Sequence, residues 1–325
     1  MAIGSGIGSQ LGIAAETTYN TYATVNRFLE FNSESLQYNK KINEGLGLRA
    51  GGSLPRSSRR VVSTFDVTGD ISLDLPTRGL GLLLAAATGT TPSPTTVTTG
   101  VYSYTYTLGD PYGKSFSAQV GVPQYGGTVT PKTITGAKVS SFDIEVSQAG
   151  LATGKFAIDA AGFTTSQSLA SATYSATGSI FHFAQGAITV DGSSVANVKD
   201  FSVSVDNTLK VDRYNLGASG AKSEQTNNGF RKVTGKLTAE FTDTTFLTKY
   251  LADTATALVL TFTGNTITGS YRDSLSLTLS AVKFDGDTPK VDGPGVIDVE
   301  MSFTAYDNGT DAPLTIVYQT SESTL

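Results

Sequence analysis

The chain has 325 residues and a net charge of −5, with 35 Gly, 16 Phe, 14 Tyr, no Trp, no Cys and one His. That length suits two domains of ordinary size. The missing cysteines exclude a disulfide framework and a thiolate metal site, and a single His argues against a two-His site and most His-based catalysis. The acidic balance gives no general basic surface for gripping nucleic acid.

Taken in order, residues 1–25 are Gly-rich and then polar around Glu16 to Asn20. They read as an N-terminal arm with little core of its own. No basic stretch precedes an apolar core there, so a secretory signal is not expected. The longest apolar run, Leu82 to Ala87, is too short to span a bilayer, and a soluble, cytoplasmically made protein is expected.

Phe28 to Leu36 is expected as the first strand, with broken alternation between Phe28 and Phe31 that suggests a bulge. Tyr38 to Thr64 carries few strand signals and reads as a long loop. It gathers Lys40, Lys41, Arg49, Arg56, Arg59 and Arg60 against a single Glu44. Long loops inside compact domains usually carry function, so this one is a candidate docking element.

Phe65 to Leu75 alternates strictly, with Val67, Ile71 and Leu73 on one face and Asp66, Thr68, Asp70, Ser72 and Asp74 on the other. The chain writes this strand twice: Val67-Thr68-Gly69-Asp70-Ile71 returns as Val233-Thr234-Gly235-Lys236-Leu237. A short helix is expected after each copy, over 78–86 with Thr77 as cap and over 244–252 with Asp243 as cap. Phe201 to Leu209 reads as the counterpart of Phe28 to Leu36, and Leu258 to Phe262 as that of Val101 to Tyr106. The later strands of the first copy, Ser115 to Val122, Lys138 to Val146 and Lys155 to Ala160, are paired with Ser274 to Ser280, Val296 to Thr304 and Leu314 to Gln319.

The expected organisation is therefore a mainly β protein with two tandem β-sandwich or split-barrel domains, each with one flanking helix. Residues 1–25 form the arm, 26–163 the first domain, 164–179 a Ser/Thr/Ala-rich linker and 180–325 the second domain.

No catalytic, cofactor-binding or metal site is expected. Gly4-x-Gly6-x-Gly8 follows no strand and opens no helix, so it fails as a dinucleotide site. Residues four apart on a strand lie roughly 13 Å from one another, too far for Asp66, Asp70 and Asp74 to share an ion. Those three, with Glu240 in the second copy, mark a solvated acidic face or one kept negative for a purpose.

Arg27 to Leu36, Gly47-Leu48-Arg49, Val67 to Ile71 and Gly79 to Leu83, with Phe201 to Leu209, Arg231 to Gly235 and Ala257 to Phe262, resemble the tail tube proteins of long, flexible-tailed phages. The resemblance covers most of the chain, in order. It implies a virion protein assembled in the host cytoplasm, whose rings stack into a hollow tube through which DNA passes without specific binding. With two tandem domains the ring would be a homotrimer of pseudo-sixfold symmetry. It would meet tail-tip initiator, tape measure and terminator proteins, and the long loop would reach the adjacent ring. It implies no enzyme, no cofactor and no membrane. A carbohydrate-binding or adhesin sandwich is the alternative, weakened by the absence of Trp.

Overall fold

The computed structural model describes residues 4–175, 177–286, 288–291 and 293–325. In the first half, β1 (Gln10–Ala15), β2 (Arg27–Leu29), β3 (Ser33–Glu34), β4 (Gln37–Glu44) and β5 (Arg60–Asp74) precede helix α1 (Gly81–Thr88). After it come β6 (Thr95–Thr98), β7 (Val101–Thr107), β8 (Phe116–Pro123), β9 (Val129–Val146), β10 (Ala152–Ala160) and β11 (Gly162–Thr164). The second half opens with β12 (Gly186–Val190), β13 (Ser193–Val195) and β14 (Val198–Asp206), then β15 (Leu209–Lys210) and β16 (Thr226–Asn227). It continues through β17 (Lys232–Glu240), helix α2 (Thr245–Ala252), β18 (Thr256–Thr268), β19 (Tyr271–Gly286), β20 (Asp298–Ala305) and β21 (Leu314–Thr320). The protein is mainly β, as its composition predicts.

The strands make two layers. One is a continuous antiparallel run, β4–β5–β10–β9–β14–β17–β20–β19. The other holds β2–β1–β8–β9–β11 in the first half and β13–β12–β18–β19–β21–β7–β6 in the second. Two long strands turn the corner between layers. Thr133 to Thr135 of β9 pair with β11, whereas Lys138 to Val146 pair with β10. Gly136 sits at that corner with a φ of 65°. Likewise Ser274 to Leu279 of β19 pair with β21, and Val282 to Gly286 with β20.

The core lies between the layers and follows the alternation of the strands. Val67, Ile71 and Leu73 are buried, while Thr68 on the opposite face is exposed. Phe142 stacks on Phe156 at 6.0 Å between ring centres, and Phe201 on Phe303 at 5.8 Å. Each such fully buried side chain contributes about 1.5–3 kcal/mol relative to exposure.

Several expectations need correction. Residues 1–25 are not all an arm: β1 lies between β2 and β8, with Leu11 and Ile13 wholly buried. Its Gly, Ala and Gln residues mask the strand because they carry little β propensity. Phe28 to Leu36 is not one bulged strand. The break in alternation marks the passage from β2, paired with β1, to β3, paired with β5 in the other layer. Tyr38 to Thr64 is not a loop throughout, since Gln37 to Glu44 pair with Thr68 back to Arg60 in a long hairpin. Much of that ribbon stands clear of the core, so neither face needs apolar residues and the period-two signal fades.

The duplicated strand is matched against different partners than expected. Phe201 pairs with Leu237 and Ser202 with Lys236; at the equivalent places Glu34 pairs with Ile71, and the Ser35 N–H donates to Asp70 O. The counterpart of Phe201 to Asp206 is therefore Glu34 to Asn39. After α1 the strand β7 has no equivalent in the second half, where it instead adds to β21. β8, β9 and β10 then correspond in order and pairing to β18, β19 and β20, one strand out of step with the expected matches. At the helices, Thr244 and not Asp243 holds the cap position of α2, and the Asp243 carboxylate, one residue earlier, accepts from the Thr245 N–H at 2.8 Å. Thr77 does not cap; α1 begins three residues later than expected, and the Thr77 hydroxyl accepts from the Ser179 N–H instead.

Candidate assembly surface

The long antiparallel run presents one face to the core and one to the outside. The outer face carries Asp66, Asp70 and Asp74 from β5, Asp143 and Glu145 from β9, Lys236 and Glu240 from β17, and Glu300 from β20, by the register that aligns them. Carboxylates outnumber amines there, but few stand alone. Asp70 pairs with Lys155 at 3.1 Å, Lys236 with Glu300 at 2.7 Å, and Lys199 bridges Glu240 at 3.1 Å and Asp298 at 2.8 Å. Asp74 accepts from the Asn32 amide at 2.8 Å. These exposed pairs organise the face and contribute little stability each.

Asp66 behaves differently from its two companions. It accepts from Asn39 and from the Tyr214 hydroxyl, both at 3.0 Å, and lies 3.5 Å from Lys222 Nζ. Tyr214 and Lys222 belong to the loop between β15 and β16, which folds back from the second half onto the first. Lys222 Nζ reaches Asp159 Oδ2 at 2.7 Å, Gln225 donates to Asp159 Oδ1 at 2.6 Å, and Lys138 Nζ meets Glu224 at 2.6 Å. Asp159, Lys222, Gln225 and Lys138 are all buried. Burial pushes the Asp159 carboxyl up and the Lys138 amine down from their ordinary ranges, with the partner charges opposing both shifts. This clamp was not legible in the sequence, because a buried Lys or Asp within a strand looks like any solvated one.

The base of the hairpin between β4 and β5 shares this anchorage, with the Phe65 N–H donating to Gly220 O, but among the described residues its tip, 45–59, does not. Lys40 and Lys41 stand on β4, Arg49 in the tip, Arg56 and Arg59 at the ends of a short 3-10 turn, and Arg60 at the start of β5. Arg59 lies along the tip, where a Cβ on Gly47 would collide with its guanidinium. Arg60 and Glu44 approach to 3.4 Å with both side chains more than half exposed. Leu46, Leu48 and Leu54 are also exposed, Leu48 completely. An extended ribbon tipped with bare leucines and arginines is unusual on a free-standing monomer.

The two halves are thus alike in their layer but unlike in this loop. The places in the second half that match Lys138 and Asp159 by pairing are Lys283 and Thr304. Thr304 offers no carboxylate to a lysine, so the clamp that holds the 210–226 loop has no second receptor.

Both borders of the long layer are open. β4 pairs only with β5, and the Lys283 to Gly286 part of β19 only with β20, among the described residues. Open strand borders invite pairing with another chain. No His, Cys, Asp or Glu cluster suited to a metal occurs among the described residues. No helix among them is long and apolar enough to cross a membrane.

No curated protein matches the chain. A family model described as phage tail tube protein matches residues 6–305. The span takes in both open borders, the free hairpin and most of both layers, and the chain belongs to the phage tail tube protein family.

Proposed function

We propose that the chain is the repeating subunit of a hollow tail conduit through which a phage genome is delivered, and that it does no chemistry of its own. The reading rests first on the joint between β9 and β14. There, Phe142 faces Val205 and Ile144 faces Val203 in an antiparallel register that fuses two like runs, β4–β5–β10–β9 and β14–β17–β20–β19. We take these runs as two tandem tube units, spanning 26–163 and 180–325 with 164–179 between them, the first also recruiting β1.

Three copies then close a ring. The β19 border of one copy meets the β3–β4 border of the next, repeating between chains the joint each chain already makes within itself. Such a head-to-tail contact leaves no border unpaired once the rotation closes. The outer face of the long layer becomes the lumen. Its acidic excess repels phosphates over about 8–10 Å at physiological salt, so DNA slides without being held. The free hairpins project along the axis to the next ring. Tail-tip initiator, tape measure and terminator proteins are the partners such a tube meets in the virion, and a long flexible tail is the setting. Electron microscopy of the concentrated protein and of phage particles tests this: tubes or rings support it, and a protein that is monomeric in both contradicts it.

A further inference from the structure

The long layer has two ends of opposite character. β5 runs from Arg60 at the hairpin to Asp74, so the hairpin tip and Asp74 lie at opposite ends. The register carries Asp74 across the layer to Thr153, Glu145, Ser202, Lys236 and Ser302, and Asp200, Glu240 and Asp298 lie beyond that row toward the same end. One end therefore holds Arg49, Arg56, Arg59 and Arg60, and the other is rich in carboxylates. At the carboxylate end the two layers of the second half part around a cavity of about 380 Å³. Its walls include Val146, Phe183, Ile188, Val195, Val198 and Phe201, with Asp200 at its margin. Lys199 also lines it, with its charge engaged by Glu240 and Asp298.

We propose that this cavity receives the tip of the 45–59 hairpin from a second copy of the chain in the adjacent ring, Leu46, Leu48 or Leu54 entering the apolar walls while the arginines face the carboxylates. The proposal rests on the tube reading. Three observations join in it: an apolar tip and an apolar cavity, opposite charge around each, and their location at opposite ends, as unidirectional stacking demands. The first half's hairpin suffices as donor, because the 210–226 loop is consumed by its own clamp.

The absence of cysteine makes the test clean. Leu48→Cys and Ala196→Cys chains are prepared separately, both at exposed positions, then mixed, assembled and oxidised. A mixed disulfide dimer that forms in tubes and disappears in dispersed subunits supports the docking. Tyr112→Cys, exposed near the hairpin end, replaces Ala196→Cys as control and should give at least tenfold less. Tubes that form without the Leu48–Ala196 bond overturn the docking and leave the tube reading standing. Capture of Ala196→Cys by Ile7→Cys instead overturns it in favour of the N-terminal segment. Failure of the unmodified protein to assemble at all, in solution or in particles, overturns both.

Discussion

Lys222 Nζ lies 2.7 Å from Asp159 Oδ2, and the contact joins a loop of the second half to a strand of the first. Both side chains are buried, so this contact is stabilising only while both charges are present. Replacing the lysine alone leaves a buried carboxylate beside the Asp66 carboxylate. Lys222→Met is expected to cost about 3–5 kcal/mol in urea unfolding. Adding Asp159→Asn should recover part of that loss, since the amide is neutral and still offers an oxygen to Gln225. A double variant as unstable as the sum of the two singles would contradict a coupled pair.

Gly69 and Gly235 occupy the same place in the repeated strand for the same reason. A Cβ at Gly69 would come within 2.4 Å of Ser35 O; at Gly235 it would come within 2.4 Å of Ser202 O and 2.1 Å of the Phe303 ring. Alanine at either place should destabilise by about 1–3 kcal/mol through overpacking. Gly295 has nothing near its Cβ position, and Gly295→Ala should stay within about 0.5 kcal/mol of the wild type. Equal melting temperatures for all three variants would refute this account of the repeat.

Charge reversal on the hairpin separates folding from assembly. Arg56, Arg59 and Arg60 are exposed, and among the described residues their only ion pair is the loose one between Arg60 and Glu44. Changing all three to Glu should leave the unfolding midpoint of the monomer within about 0.5 kcal/mol of its original stability. Tube growth, followed by light scattering, should stop. Normal growth would mean that the hairpin arginines do not join rings.

The α2 end of the second half should loosen in acid. A hydrogen bond from Lys249 holds the Asp191 carboxyl below the usual carboxylate range, and hydrogen bonds from Thr245 do the same for Asp243. A depressed carboxyl stabilises the fold above its unfolded pKa, and that contribution disappears as pH falls through the folded pKa. Amide exchange at Ala257 and Thr245, whose N–H groups bond these carboxylates, should accelerate below the ordinary Asp range. Asp191→Asn with Asp243→Asn should flatten the dependence; protection unchanged by acid or by the substitutions would contradict it.

The sequence displayed what the core demands and hid what the surface permits. Val67, Ile71 and Leu73 had to alternate because one face of β5 packs inward, so that strand and its repeat were visible. The ribbon from Lys40 to Arg60 faces water on both sides, and no periodicity marked it as strands. β7 was misassigned for a related cause: it alternates like its supposed counterpart, but pairing across the halves is a tertiary fact that local pattern does not encode. Of the acidic residues, Asp70 and Asp74 are half-buried beside Lys155 and Asn32, whereas Asp66 is drawn into a clamp with residues almost 150 positions away.

The central claim is that the chain closes a ring on the pattern of its own β9–β14 joint. A density map of assembled tubes that resolves strands tests it most directly. It should show three chains per ring, β19 beside the next chain's β4, and Asp70, Glu145 and Glu300 facing the channel. Six chains per ring, lateral contacts through α1 or α2, or those carboxylates on the outer surface would contradict it.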